Sequence, residues 1–150
     1  MSLTRTILAA ALSAGFLFPY QRNRSTEGSV RYKYDTPGTK LQGTLVKRKV
    51  YGPPGYGETP AKDAKETILI LKLPHAIDVQ PAANAEANRS VNLDPAMNIL
   101  EVQLIPSRSR PLDSDELVGK SVTTTGTLNE SVTASQRTKV WMDLQSIDPN

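Results

Sequence analysis

The segment that most constrains the fold of this chain is Leu117–Leu128, with the sequence LVGKSVTTTGTL. An apolar step leads into Gly119, and glycine commonly ends a helix because it tolerates a left-handed backbone. From Val122 onward, apolar or small residues recur at every second position, which is the period of a strand with one buried face. Gly126 lies within that strand, where glycine permits a sharp bend. The segment therefore predicts a short helix followed by a bent strand.

A second strand with unusual patterning lies nearer the start of the chain, over Leu41–Val50 (LQGTLVKRKV). Gly43 and Leu45 share one face of this strand, whereas Val46 and Val50 lie on the other. Apolar positions on both faces in turn indicate a strand that curls and changes the face that it buries. The long first strand of a small barrel does this at a glycine or a bulge.

The other elements follow from runs of β-forming residues and from turn signals. The segment before Gly119 predicts a helix of one or two turns, with Asp113 or Ser114 as its N-cap. We predict an exposed loop at 80–96 and a turn near Asn129-Glu130. Further strands are predicted at Thr67–Leu73, as a short piece at Ile77–Val79, at Asn98–Ile105, and from about Thr138 to Ile147.

Five or six strands with one short helix before the fourth long strand is the order of an OB-type barrel. The fold class predicted is therefore all-β, a small OB-like coiled β-barrel preceded by an N-terminal signal-like helix. Barrels of this type bind oligonucleotides, sugars or proteins according to their loops. The residues expected in the core are Leu45, Ile68, Ile70, Val102, Leu104, Val122, Leu128, Val140 and Leu144.

Composition restricts the function classes. The chain has 150 residues, 38% of them hydrophobic and 22% charged, which suits one globular domain. It has no cysteine, so a cysteine nucleophile, a thiolate metal site and a disulfide are all excluded. The formal net charge of +3 is a mild excess and not the footprint of a dedicated DNA-binding domain.

The N-terminal residues differ in composition from the rest of the chain. Ile7–Phe18 (ILAAALSAGFLF) is apolar, too short to span a bilayer, and of the length of a secretory h-region. We therefore predict a signal peptide at 1–19 and a periplasmic or secreted protein with no membrane anchor after processing. The alternative is a buried or partner-binding N-terminal helix. Residues 20–39 are polar and predict a linker that enters the domain near residue 30, with the barrel at 40–150.

A resemblance to a known family rests on several short motifs. The stretch from Gly43 to Ile147 resembles the bacterial domain-of-unknown-function family 4431, whose members are exported. The family has no assigned activity. Many of its members are rich in histidine just before the last strand, where this chain has Ser135-Gln136-Arg137, so no metal or proton-transfer role follows from the resemblance. The matching motifs are Tyr51–Glu58 (YGPPGYGE), Glu66–Leu73, Ile77 with Val79, Val102–Leu104, Gly119–Leu128, and Thr138–Ile147.

The loop from Tyr51 to Pro60 is the strongest candidate for a recognition site. Its prolines and glycines fix an unusual backbone path, and its tyrosines offer rings with polar tips. In an OB barrel, the loop after the first strand forms one side of the ligand groove. The alternative is that both tyrosines pack over the barrel end and that Glu58 caps the turn. The candidate binding residues are Tyr51, Pro53, Pro54, Tyr56 and Glu58, with Arg48 and Trp141 on the barrel face.

These observations favour an exported, non-enzymatic binding module for a protein or small ligand, with no cofactor and no metal. His75 is the only histidine, and no serine has the setting of an exposed nucleophile. One alternative is an inhibitor or immunity protein whose loop plugs a target enzyme. Another is a single-stranded nucleic-acid-binding domain. Nucleic acid is the less favoured partner, because the chain has only a mild excess of basic residues. Its candidate phosphate contacts are Lys40, Lys47, Arg48, Lys49, Arg108 and Arg110.

Overall fold

A computed structural model describes residues 29–107 and 114–150. The signal-like helix predicted at 1–19 lies outside these residues. Within them, no helix has the length and apolarity needed to cross a membrane. The elements are, in chain order, β1 (Val30–Lys33), β2 (Thr39–Tyr51), β3 (Lys65–Gln80), β4 (Ala96–Pro106), a 3-10 turn at Asp115–Leu117, β5 (Ser121–Glu130) and β6 (Val140–Pro149).

Five of the strands close into a barrel. The neighbours run in the order β3-β2-β5-β6-β4, and pairing of β4 with β3 closes the ring. The pair β4–β6 is parallel, and the other four pairs of the barrel are antiparallel. This is the strand order of an OB barrel, with β2 in the position of the first OB strand. The predicted all-β, OB-like barrel is therefore confirmed.

The curl predicted for β2 is present and depends on a glycine. Residues Thr39–Thr44 pair with β5, and Thr44–Tyr51 pair with β3, so the strand passes from one neighbour to the other at Thr44. Gly43 lies just before this crossing. A Cβ there would overlap the backbone carbonyl of Lys72 on β3, so only glycine allows the two strands to approach this closely.

The barrel interior is filled by side chains from all five barrel strands, with Tyr34 added from the segment after β1. All the residues predicted as core are buried except Ile68, which is half-buried. Leu71 and Leu73 fill the interior, whereas Ile70 is buried on the other face of β3, which it shares with the half-buried Ile68. The run TILILKL is apolar on both faces, so its alternation could not identify the inner one.

Three predicted elements differ in extent from the observed ones. The helix before Gly119 is only the 3-10 turn Asp115–Leu117, and Ser114 makes no side-chain capping bond. Asp113, the other predicted cap, lies outside the described residues. Ile77–Val79 is the end of β3 and not a separate piece. Strand β5 continues through the predicted turn at Asn129-Glu130, and the chain reverses at 131–139 instead.

Continuity of β3 through Pro74 has a physical reason. The pairing of β3 with β2 ends at Lys72, and its pairing with β4 resumes only at Ile77. Pro74 lies in this unpaired stretch, so its missing N–H removes no ladder hydrogen bond.

The segment predicted as a linker at 20–39 contributes to the sheet in its second half. Strand β1 pairs in parallel with the end of β3, from Val30 opposite Ile77 to Lys33 opposite Gln80. The side chain of Tyr34 is fully buried in the core. The barrel itself begins at Thr39, one residue before the predicted limit. The alternation of Val30, Tyr32 and Tyr34 with charged residues was the sequence signal for this extra strand.

Candidate functional site

The loop between β2 and β3 spans residues 52–64 and is called the Pro-Tyr loop below. Its base is closed by two backbone hydrogen bonds, from Gly52 N to the carbonyl oxygen of Ala64 (2.7 Å) and from Ala64 N to that of Pro53 (2.9 Å). A further bond from Tyr56 N to Gly52 O (3.0 Å) folds the tip back onto the base. The Pro53-Pro54 peptide bond is cis. The loop therefore has a defined backbone path.

The carboxylate of Asp63 organises the inside of the Pro-Tyr loop. Its Oδ1 accepts hydrogen bonds from Gly55 N (2.7 Å) and from the Thr59 hydroxyl (2.8 Å). Its Oδ2 accepts from Gly57 N (2.7 Å) and Thr59 N (3.2 Å). Desolvation raises the pKa of Asp63, but the hydrogen bonds from Gly57, Thr59 and Gly55 outweigh it and hold this pKa below its ordinary value.

The glycines of the loop allow this arrangement. A Cβ at Gly55 would lie 2.8 Å from Asp63 Oδ1, and Gly57 has φ +106°, which other residues rarely adopt. Sequence reasoning identified the fixed loop but not Asp63. A carboxylate that follows glycines and threonine by a few residues is a signal for such a turn, because aspartate readily accepts bonds from nearby backbone N–H groups.

The two tyrosines of the site are placed differently. Tyr51 is 40% exposed at the end of β2, so the alternative in which both tyrosines pack over the barrel end does not hold for this ring. Tyr56 is half-buried, has φ +51°, and lies beneath the guanidinium of Arg137, whose Cζ is 4.9 Å from the ring centroid. Pro53 and Pro54 are both exposed. Glu58 is also exposed, and its backbone N–H donates to Gly55 O (3.0 Å).

Arg137 joins the Pro-Tyr loop to the segment 131–139 between β5 and β6. Its Nη2 donates to the backbone carbonyl of Tyr51, and its backbone N–H donates to Gln103 Oε1 on β4 (2.6 Å). Its Nε is buried without a hydrogen-bond partner. The cation over the Tyr56 ring adds an attraction that strengthens where water is excluded. Sequence reasoning missed Arg137, because a contact over 86 positions of separation leaves no local pattern.

Arg48 and Trp141 lie on the same outer surface of the barrel, with β3 and β4 between them. Arg48 Nη2 donates to both carboxylate oxygens of Glu101 on β4, at 2.7 and 2.9 Å. This hydrogen bond from Arg48 lowers the pKa of Glu101. The Arg48–Glu101 salt bridge therefore crosses from β2 to β4 on the outside of the barrel. The side chain of Ile70 lies on this outer face of β3 between the two strands and is fully buried. Trp141 is half-buried, and its Nε1 donates to Glu130 O (3.0 Å).

The structure separates Arg48 from Lys47, its neighbour in the basic triplet of β2. Lys47 pairs with Asp115, whereas Arg48 points to the opposite face of β2 and pairs with Glu101. Lys49 and Lys40 are exposed, and Arg108 and Arg110 lie outside the described residues. Lys47 and Arg48 therefore do not form a common basic surface. His75 is exposed on β3.

Comparison of the chain with protein-family models, with curated proteins and with solved structures finds no match in any of the three. The resemblance to the domain-of-unknown-function family therefore stays a prediction, and the site is argued from its own geometry.

Proposed function

We propose that this protein is an exported, non-enzymatic binding module that recognises a protein or small ligand through the Pro-Tyr loop. The observation that carries the proposal is the exposed Tyr51 ring beside a loop that is held from two directions. Asp63 holds the loop from inside, and Arg137 holds it from the neighbouring segment. The recognition residues are Tyr51, Pro53, Pro54, Tyr56 and Glu58, of which only Tyr56 is half-buried.

A loop fixed in this way favours binding for an energetic reason. Ordering a flexible loop costs free energy at the moment of association, and a loop ordered beforehand avoids most of that cost. Tyrosine then supplies a large contact area with few rotatable bonds and is enriched among residues that dominate binding energy. The loop after the first strand and the loop between the fourth and fifth strands are also the ones that flank ligands in OB barrels. Here they are the Pro-Tyr loop and the segment 131–139.

The test is capture of the partner from periplasmic extract with purified protein as bait, followed by mass spectrometry and an affinity measurement. We expect Tyr51→Ala to weaken binding by more than about fivefold, which corresponds to about 1 kcal/mol. Val91→Ala is the matched control, because Val91 is 65% exposed in a different loop. If both variants bind the partner with equal affinity and have unchanged melting temperatures, the Pro-Tyr loop is not part of the recognition surface.

An inhibitor or immunity protein is the second candidate, and the exposed prolines of the rigid loop support it. Pro53 and Pro54 are accessible in a loop whose base is closed by backbone hydrogen bonds between Gly52, Pro53 and Ala64, which suits insertion into a cleft. If the captured partner is an enzyme, its activity should fall in proportion to added protein, and Tyr51→Ala should relieve the inhibition. Activity that is indifferent to saturating protein would reject this candidate.

Nucleic-acid binding is the other class to be separated. The pairing of Lys47 and Arg48 with acids on opposite faces of β2 argues against a shared phosphate track. We expect no binding to single-stranded DNA tighter than about 100 μM at physiological salt, the weak end of non-specific affinity. Sub-micromolar binding that weakens steeply with salt would favour nucleic acid over a protein or small ligand as the partner.

Export is tested separately, by N-terminal sequencing of the natively expressed protein. The h-region length of Ile7–Phe18 leads us to expect a mature N-terminus between about residue 15 and residue 25. Intact Met1 on the purified protein would contradict export and would leave the binding proposal to its own test.

A further inference from the structure

A groove lies between β1 and the first half of β2. Strand β3 pairs with β2 only as far as Lys72, and with β1 from Ile77 onward. Over Thr39–Thr44, β2 pairs with β5 instead. Among residues 29–107 and 114–150, no pairing joins β1 to β2, and the groove here has a volume of about 420 Å³. Small-molecule sites span about 300–1,000 Å³, so this groove is of the size that takes a small ligand.

The interior of the groove is apolar. Side chains that are paired across two strands share a face, so Val30 and Tyr32 lie on the same face as Ile77 and Val79, which fill the core. Tyr32 packs against that core, whereas Val30 is 58% exposed. Leu73 lines the groove as well and belongs to the core. The apolar body of a ligand would therefore contact side chains that are continuous with the barrel interior.

The polar side chains that line the groove are mostly hydrogen-bond donors. Lys40 and Gln42 are exposed on the outer face of β2, and Thr123 lies opposite Gln42 on β5. His75 lines the groove from β3 and is exposed. The lysine ammonium offers three donors, and an imidazole has at least one N–H in either charge state. The groove therefore presents one fixed positive charge with further donors around it.

None of the described aspartates and glutamates lines this groove. Asp78 follows Ile77 directly, but strand alternation places its side chain on the opposite face of β3. There it accepts hydrogen bonds from the Ser29 hydroxyl and from Asn98 N (3.0 Å). Asp148 is opposite Thr123, but it lies on β6, on the side of β5 away from β2. The charge that the described residues give to the groove is thus positive.

We infer that the groove binds a small organic monocarboxylate, with its carboxylate at Lys40 and its apolar body against Val30 and Tyr32. An ammonium and a carboxylate form a charge-assisted hydrogen bond, which is stronger than a neutral one. One lysine balances one negative charge, which favours a monocarboxylate over a doubly charged phosphate ester. The inference goes beyond the proposed function, because the groove lies at the start of β2 and the Pro-Tyr loop follows its end.

The experiment is a titration of the isotope-labelled, natively expressed protein, followed by two-dimensional NMR. The probes are monocarboxylates from butyrate to phenylacetate and indole-3-acetate, each compared with its uncharged primary carboxamide. We expect saturable shifts of the backbone N–H resonances of Gln42, His75 and Thr123. The best carboxylate should bind at least about threefold more tightly than its carboxamide, because only the carboxylate pairs with the charge of Lys40.

Two variants separate the charged contact from the apolar one. Lys40→Gln should remove the preference for the carboxylate, whereas Lys49→Gln should retain it, because Lys49 is exposed on the same strand and outside the groove. Val30→Ser should weaken the carboxylate and the carboxamide by the same factor. Val91→Ser is its matched control, because Val91 is 65% exposed in another loop, and it should leave both affinities unchanged.

Equal affinity for carboxylates and carboxamides would overturn the inference. Equal effects of Lys40→Gln and Lys49→Gln, unchanged binding in Val30→Ser, or the absence of saturable shifts with every probe would also overturn it. Binding by a shortened chain that begins at Ser29, but not by the native protein, would show that the N-terminal residues of the chain fill the groove. That result would overturn the inference as well.

Discussion

Substitution of Gly126 by alanine tests the closure of the barrel most directly. Gly126 lies on β5, where the register against β6 shifts between Thr125 and Gly126. An added Cβ would lie 2.7 Å from Met142 Cγ and would overlap the backbone carbonyl of Asp143. Gly126 is not among the residues with positive φ, so the whole cost is steric. Overpacking costs about 1–3 kcal/mol, and because a backbone atom cannot rotate away, we expect about 3 kcal/mol.

The assay is equilibrium unfolding in urea, with the free energy of unfolding obtained by linear extrapolation. A loss of about 3 kcal/mol should also lower Tm by about 6–12 °C in a domain of this size. Thr125→Ala is the matched control, because Thr125 is the half-buried neighbour on the same strand, and it should cost less than about 1 kcal/mol. If Gly126→Ala costs no more than Thr125→Ala with equal m-values, the close approach of β5 and β6 at this position is wrong.

Three further predictions concern the core, the loop and the outer surface. Leu104→Ala should cost about 2–5 kcal/mol in urea unfolding, since Leu104 is 2% exposed in the core, and a loss below about 1 kcal/mol would contradict its placement. The lowered pKa of Asp63 means that its stabilisation is present above its unfolded pKa and is lost as the pH falls below about 4. The Gly55 amide resonance should shift with that titration in the wild type and not in Asp63→Asn, and a shift that persists in the variant would refute the assignment to Asp63. A double-mutant cycle on Arg48 and Glu101 should give a coupling of at most about 1 kcal/mol, because both side chains are about one-third exposed and solvent screens the pair, whereas a larger value would indicate a drier contact.

The candidate site was predictable from the sequence only in part. The prolines and glycines of Tyr51–Pro60 identified a fixed loop, because those residues restrict or extend backbone freedom locally. The same local reasoning left open whether the rings were exposed. That depends on Arg137, which covers Tyr56 and leaves Tyr51 at 40% exposure. The basic triplet around Arg48 showed the same limit, because sequence proximity suggested one cluster while strand alternation sends neighbours to opposite faces.

The sequence by itself determined the fold class, because alternation at period two and the glycines at 43 and 126 are local requirements of bent, half-buried strands. It did not determine the inner face of β3, since Thr67–Leu73 is apolar on both sides and either face could be buried. Only the tertiary structure decided that face, through the cross-strand partners that Leu71 and Ile70 meet on β2 and β4. The same holds for the point where the β3–β4 pairing ends, at Leu69 opposite Leu104. Pairing is a property of two strands at once, so no single segment records where it stops.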